Sequence, residues 1–338
     1  MPGVRKRGED VRDFIVNNVT GNPKGIVTFT ALHFGISRPA VHKHIQKLIQ
    51  ENILAYSKQQ YSLKFELFTY TYRINKDLSE DVVWETDIKK HFLNVPENAK
   101  RILIYGFMEI FNNAIEHSQG KNIFVAIKQN KIFMEFLIID DGIGIFANIQ
   151  DKFNLVNKED ALLELTKGKR TTEKSRHSGQ GIFFTSKMFD YFLIYSDRIH
   201  FIADDSESKI VLDIPKNINI KNGTVVSMRL LNSTTRTPKE IFDKFSTQDF
   251  EFDRTIVPVK MAKDDDLVSR SQARRILNGL ELFTEVILDF NSIQYIGQAF
   301  ADELFRVFPS MNPNTTIIEI NANDDVQGMI NRARNTRI

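Results

Sequence analysis

An acidic and an amide side chain stand four residues apart in segment 101–117, at Glu109 and Asn113. Apolar residues recur through the same segment at helical spacing, at Ile102, Tyr105, Met108 and Phe111. The spacing predicts a helix that carries the carboxylate and the amide on one face. Such a pair could orient a water molecule and supply an oxygen to Mg²⁺, which prefers hard oxygen ligands. The same pair would also suit an ordinary solvated helix face.

A second candidate site follows an apolar run at 132–139, which is typical of a buried strand. The run leads into Asp140, and Gly142 and Gly144 follow at alternate positions. An acid at the end of a strand can accept a hydrogen bond from an exocyclic amine such as that of adenine. Glycines there let the backbone approach a flat ligand closely.

Two more glycine-containing turns follow. Gly179 and Gly181 precede an apolar helix predicted at 182–191, and glycines at a helix start expose N–H groups to phosphate. Thr224 follows a glycine in a strand predicted at 222–229.

Roughly 30 residues separate the two glycine pairs, and we expect them to form a structureless, functional lid. The end of this stretch carries five cations, at Lys167, Lys169, Arg170, Lys174 and Arg176. Cations here could neutralise phosphate charge, and Lys174 and Arg176 are nearest the second glycine pair. A solvated run of charges is the alternative.

Taken in order, these elements resemble the motifs of the GHKL ATPase superfamily, which includes gyrase, a heat-shock chaperone, histidine kinases and mismatch-repair ATPases. The resemblance covers about residues 85–230. Glu109 and Asn113 match the N box, 140–144 the first glycine box, 179–181 the second, and 223–224 the last Gly-Thr element. The alternative is an unrelated α/β sandwich in which the glycines fall at these places by chance.

The resemblance implies an α/β sandwich, with a mixed sheet and helices on one face, that binds ATP and Mg²⁺. Glu109 would be the general base, Asn113 would hold Mg²⁺, and Asp140 would bind the adenine amine. The other matching or neighbouring positions would contact the nucleotide: Gly142, Gly144, Lys174, Arg176, Gly179, Gly181 and Thr224.

The N-terminal 75 residues are basic, with eleven Lys and Arg against five Asp and Glu, whereas the rest of the chain is acidic. A helix, a glycine turn at 35–37, a second helix at 38–51 and a hairpin at 53–61 resemble a winged helix-turn-helix. In that family the second helix enters the major groove of DNA. Its exposed face would present Arg38, His42, Lys43 and Lys47. A winged helix that binds protein is the alternative.

The C-terminal segment alternates strands and helices, which predicts a small sheet with crossover helices. Residues 252–335 resemble the STAS-like relatives of anti-sigma-factor antagonists. True antagonists carry a phosphorylatable serine before the helix at 298–308, but residues 297–300 here have no hydroxyl group. We therefore expect a surface for protein docking or dimerisation.

The sequence thus predicts a multidomain α/β protein with a winged helix-turn-helix at 1–75, a GHKL domain at 76–235 and a STAS-like domain at 236–338. The absence of cysteine excludes thiol catalysis, and no segment has the length and apolarity of a membrane span, so a cytoplasmic location is expected. We expect an ATP-binding, DNA-binding transcription regulator with slow ATP hydrolysis. By analogy with GHKL proteins, many of which dimerise, a homodimer is also expected. The alternatives are a serine/threonine protein kinase acting on a partner, and a scaffold with a structural ATP site.

Overall fold

The chain is a mixed α/β protein whose computed structural model describes residues 2–92, 95–168, 180–204, 223–246, 252–259 and 267–336. These residues form helices and three β-sheets. None of the described helices is both long and apolar enough to cross a membrane. Three predicted site residues, Lys174, Arg176 and Gly179, lie outside the described residues.

Three helices and a hairpin form the N-terminal region. They are α1 (Pro2–Asn18), α2 (Ile26–Phe34), α3 (Arg38–Gln50), β1 (Leu54–Ser57) and the antiparallel β2 (Gln60–Leu63). Helix α3 begins where predicted because the Ser37 hydroxyl accepts a hydrogen bond from the backbone N–H of Ala40 at 3.3 Å. Its apolar face packs into a small core that is separate from the rest of the molecule.

A six-stranded sheet forms the centre of the chain. Its strands are β3 (Glu66–Arg73), β4 (Asn122–Gln129), β5 (Phe133–Asp140), β6 (Tyr191–Ser196), β7 (Ile199–Asp204) and β8 (Val225–Leu231). The order is β3-β4-β5-β8-β6-β7, so the sheet begins at residue 66, before the predicted boundary at 75.

Every neighbouring pair of strands in this sheet is antiparallel. The prediction of a mixed sheet is therefore wrong for the described strands. Strands β5 and β6 point in the same direction, but β8 lies between them and runs opposite to both.

Helices pack against the sheet to form its core. They include α5 (Glu97–His117), α8 (Gly181–Met188) and α9 (Pro238–Phe245), preceded by α4 (Glu80–Val83) and by short π and 3₁₀ turns at 84–88 and 89–92. The Phe242 ring of α9 contacts Tyr105 of α5 and Phe184 of α8, with ring centroids 5.5 and 4.6 Å apart. These contacts bring α5 and α8 side by side over the sheet.

The predicted lid is not structureless: α6 (Ile145–Lys152) and α7 (Lys158–Lys167) occupy much of it. Helix α7 forms because the side chain of Asn157 accepts from the N–H of Asp160 at 2.8 Å, and it ends at Gly168, whose φ is 85°. Ala161 and Leu165, four residues apart, bury one face of the helix. Residues 169–179 lie outside the described residues.

The C-terminal segment forms a parallel three-stranded sheet with the order β11-β10-β9. Its elements are β9 (Arg254–Pro258), α10 (Arg270–Leu277), β10 (Glu285–Asp289), α11 (Gln298–Asp302), a π turn at 303–307, α12 (Phe308–Met311), β11 (Thr316–Ile320) and α13 (Asp324–Asn335). The expected crossover helices are present, and the helix predicted at 298–308 runs without a gap to residue 311, with a π turn in its middle. The core of this segment is continuous with that of the six-stranded sheet.

Candidate nucleotide site

A cavity of about 360 Å³ lies among α5, the β5–α6 loop, α7 and α8. Six of the predicted site residues line it: Glu109, Asn113, Asp140, Gly144, Gly181 and Thr224. Gly142 lies beside it and serves a packing role described below. The structure thus brings together residues that are up to 115 positions apart in the chain.

Asp140 ends β5 with its side chain only 7% exposed. Its Oδ1 accepts hydrogen bonds from the N–H groups of Gly142 and Thr224, at 2.9 and 3.3 Å. Burial raises the pKa of Asp140 to about 6, although hydrogen bonds from the Gly142 and Thr224 N–H groups and from the Thr224 side chain oppose the change. The carboxylate lines the cavity, so it can interact with a molecule bound there.

The adjacent acid, Asp141, has a different role. Its carboxylate accepts from the N–H groups of Lys121 and Asn122, at 2.6 and 2.9 Å, and from the Asn122 amide at 2.7 Å. Partial burial opposes ionisation, but these hydrogen bonds outweigh it and lower the pKa of Asp141. Asp141 therefore joins the start of β4 to the β5–α6 loop by hydrogen bonds.

The glycines of the β5–α6 loop are required by contacts within the protein. A Cβ at Gly142 would lie 2.0 Å from the carbonyl oxygen of Ser118, at the end of α5. A Cβ at Gly144 would lie 2.4 Å from the Ser196 hydroxyl, and its φ of 87° also favours glycine. The sequence suggested that Gly142 allows the backbone to approach a ligand closely. The contact with Ser118 explains this glycine without a ligand.

Gly181 allows the start of α8 to approach the acid of α5. A Cβ at this position would lie 1.8 Å from Oε2 of Glu109. Asn113 lies one turn further along the same face of α5, and both side chains are partly buried. Tyr105, one turn before Glu109, has its pKa raised by burial and by the nearby Glu109 charge. The acidic and amide groups thus share one wall of the cavity.

Thr224 forms hydrogen bonds with two neighbouring segments. Its Oγ1 accepts from the N–H of Ile145 at 3.0 Å, and its carbonyl oxygen accepts from the N–H of Asp140 at 3.1 Å. Since Thr224 is buried and its oxygens are used in these contacts, it positions the start of α6 and the end of β5.

Several polar residues of the cavity were not identified from the sequence, among them Asn148, Glu164 and Gln180. Asn148 of α6 donates through Nδ2 to the carbonyl oxygen of His117 at 3.0 Å, and both residues line the cavity. Glu164 of α7 also lines it. A polar residue on the buried face of a short helix could have indicated Asn148 and Glu164, but this pattern can be recognised only once α6 and α7 are known to be helical.

The four predicted DNA-contact residues lie together on the exposed side of α3. His42, Lys43 and Lys47 line a shallow depression with Pro39, Gln46 and Gln50. Arg38 donates to the Thr28 hydroxyl at 2.9 Å, and Lys47 is 3.9 Å from the Glu51 carboxylate. The face carries three cations and one histidine.

Comparison with known families matches residues 272–327 to a STAS-like domain of unknown function, DUF4325. The match spans α10 to the start of α13 and agrees with the STAS-like character expected for the C-terminal segment. A search of curated proteins finds no match.

Proposed function

We propose that the protein binds ATP with Mg²⁺ in the cavity between α5 and α8 and is a transcription regulator whose DNA or partner binding depends on the nucleotide. The observation that carries this proposal is the Asp140 carboxylate, which is buried and lines the cavity, where the N–H groups of Gly142 and Thr224 hold its Oδ1 in place. An acceptor of this kind suits the amino group of adenine.

The cavity also fits the remaining parts of the ligand. Its volume of about 360 Å³ falls in the range of small-molecule pockets. Asn113 supplies a neutral oxygen suited to Mg²⁺, and Glu109 supplies a carboxylate that could accept a proton from an attacking water. The described residues hold no cluster of three or more acidic or histidine side chains suited to a metal, so phosphate oxygens and water would complete the coordination.

The role of each residue follows from its position. Asp140 would orient the base, while Thr224 and Gly144 keep the β5–α6 loop in place around it. Mg²⁺ would neutralise phosphate charge when bound with ATP. Glu109 would orient and deprotonate the water, and Gly181 leaves room for its carboxylate because a Cβ there would lie 1.8 Å from Oε2.

The N-terminal region would contact DNA through the basic face of α3. Its core is separate from the core of the sheet, and among the described residues Ile132 in the β4–β5 turn packs against it from outside the region. Such a limited contact allows two arrangements of the region, and ATP would shift their populations if it binds them with different affinities.

The test is a titration of purified full-length protein with ATP–Mg²⁺ by calorimetry, followed by DNA-binding measurements with and without nucleotide. Uptake of ATP together with a change in DNA affinity supports the proposal. Absence of adenine nucleotide binding refutes it.

Incubation with γ-labelled ATP separates the proposal from its alternatives. Release of labelled phosphate indicates an ATPase, whereas label retained on a protein indicates a kinase. Binding without turnover and without any change in DNA affinity indicates a structural nucleotide site.

A further inference from the structure

Helix α7 forms part of the cavity wall, through Glu164 and Leu165, yet most of its polar contacts are made with other parts of the fold. At its N-terminal end, Lys158 pairs with Asp197 in the β6–β7 turn. Along the rest of the helix, the contacts lead to the C-terminal segment. The position of this cavity wall therefore depends on elements that do not themselves line the cavity.

One group of these contacts is centred on Lys167, which also forms a buried ion pair within α7. Lys167 and Glu164 are 2% and 4% exposed, and the Lys167 ammonium donates to the Glu164 carboxylate at 2.7 Å. It also donates to the carbonyl oxygens of Asn278 and Arg275, at 2.6 and 3.4 Å. These carbonyls lie at the C-terminal end of α10, where the helix dipole favours a cation. Lys167, grouped from the sequence with phosphate-binding cations, instead joins α7 to α10.

Two further contacts lie on either side of this pair. The Thr255 hydroxyl on β9, which is fully buried, donates to the carbonyl oxygen of Lys167 at 3.0 Å. This carbonyl group lies in the last turn of α7, where it has no partner within the helix. The Arg275 guanidinium donates twice to Asp160 in the first turn of α7, at 2.9 and 2.6 Å. We call these three contacts, made by Lys167, Thr255 and Arg275, the α7 attachment.

We propose that the C-terminal segment controls the cavity by holding α7 in place, so that loosening the α7 attachment weakens ligand binding there. This regulatory role rests on the proposed function, since the ligand is taken to be ATP. The C-terminal segment would then be an internal regulator of the nucleotide site. By reciprocity, ATP bound in the cavity strengthens the α7 attachment by the same factor.

The test uses two substitutions and two matched controls in the full-length protein. Thr255→Val removes the donor to α7 at nearly constant shape, and Thr315→Val is its control because the buried Thr315 hydroxyl donates at 2.8 Å to Phe283, within the C-terminal segment. Arg275→Gln breaks the pair with Asp160. Its control is Arg334→Gln, because the Arg334–Glu319 pair has side chains 40% and 14% exposed, against 42% and 15% for Arg275–Asp160.

The first measurement is hydrogen–deuterium exchange without nucleotide. We expect amides of α7 to exchange roughly tenfold faster in Thr255→Val and about threefold faster in Arg275→Gln, since a buried hydrogen bond contributes more than a partly exposed ion pair. Amides of α6, which packs on α7 and also lines the cavity, should exchange faster as well. The two controls should leave both helices unchanged.

The second measurement is the dissociation constant for ATP–Mg²⁺, which should rise about three- to tenfold in the two variants and not in the controls. Unchanged exchange in α7, or faster exchange confined to α7 with no change in α6 or in ATP affinity, overturns the regulatory role. If the wild-type protein binds no ATP, the proposed function fails, and exchange in α6 alone decides whether the C-terminal segment controls the cavity.

Discussion

Replacement of Asp140 by asparagine should make the nucleotide-free protein more stable at neutral pH. The asparagine oxygen can still accept from Gly142 and Thr224, as the Asp140 Oδ1 does at 2.9 and 3.3 Å. The substitution therefore changes only the group that faces the cavity, and it removes a negative charge from a site that is 7% exposed. Burial of the Asp140 charge costs more folding free energy than its hydrogen bonds offset, whereas burial of a neutral amide costs less.

The magnitude follows from the pKa. Burial raises the pKa of Asp140 from 3.8 to about 6. At a pH where the group is ionised in both the folded and the unfolded state, this difference lowers the unfolding free energy by roughly 3 kcal/mol. Between these two pH values the folded protein binds a proton that the unfolded chain has released, so this loss grows as the pH rises through 6. Asp140→Asn should therefore be more stable by up to about 3 kcal/mol at pH 8, and by progressively less below pH 6.

Urea unfolding at several pH values, without nucleotide, measures this difference. The protein has one tryptophan, Trp84, which is buried against Phe107 and Phe136, so its fluorescence reports on the core that contains the site. The control is Asp141→Asn. Hydrogen bonds lower the pKa of Asp141, so that variant should lose stability at pH 8, and the loss should shrink at acid pH.

A less stable Asp140→Asn protein at pH 8, or a difference that does not decline as the pH falls, would refute this account of the buried carboxylate. If the proposed function is correct, the same variant should bind ATP at least tenfold more weakly, because the amide that replaces Oδ2 cannot accept from the adenine amine. Stability and nucleotide binding should then change in opposite directions.

Three other substitutions test separate parts of the molecule. Glu109→Ala should retain ATP binding but lose about 10²–10⁴-fold in turnover, measured as phosphate release, and undiminished turnover would exclude Glu109 as the base. Lys43→Ala should weaken binding to DNA of any sequence and lower the slope of log affinity against log salt by about one, whereas an unaltered slope would argue against a phosphate contact. Gly142→Ala should destabilise the protein by about 1–3 kcal/mol in urea unfolding, because the new methyl group would lie 2.0 Å from the Ser118 carbonyl oxygen; unchanged stability would show that the loop can move aside.

The local elements were predictable where short-range patterns specify them. The serine cap at Ser37, the helical spacing around Glu109 and the apolar run before Asp140 each depend on residues a few positions apart, and each predicted element is present. The order of the glycine motifs also predicted residues that line one cavity. These inferences succeed because hydrogen-bond caps and side-chain periodicity act within one or two turns of backbone.

The errors arose where distant parts of the chain decide the outcome. The antiparallel sheet results from the insertion of β8 between β5 and β6, which no local pattern specifies. The predicted lid contains α7 because its apolar face packs into the core that the six-stranded sheet shares with the C-terminal segment. Most helical stability in proteins comes from such packing, and a short amphipathic segment does not reveal whether a partner exists.

The sequence by itself determined which side chains were available for chemistry and which short elements would carry them. Only the tertiary structure decided how they are used. Asp140 and Asp141 are adjacent acids, but one is desolvated at the cavity while the other is held by β4. Lys167 is buried, and its ammonium group donates a hydrogen bond to the carbonyl oxygen of Asn278, 111 residues away. Both outcomes depend on burial and on long-range hydrogen bonds, which arise only when separate elements pack together.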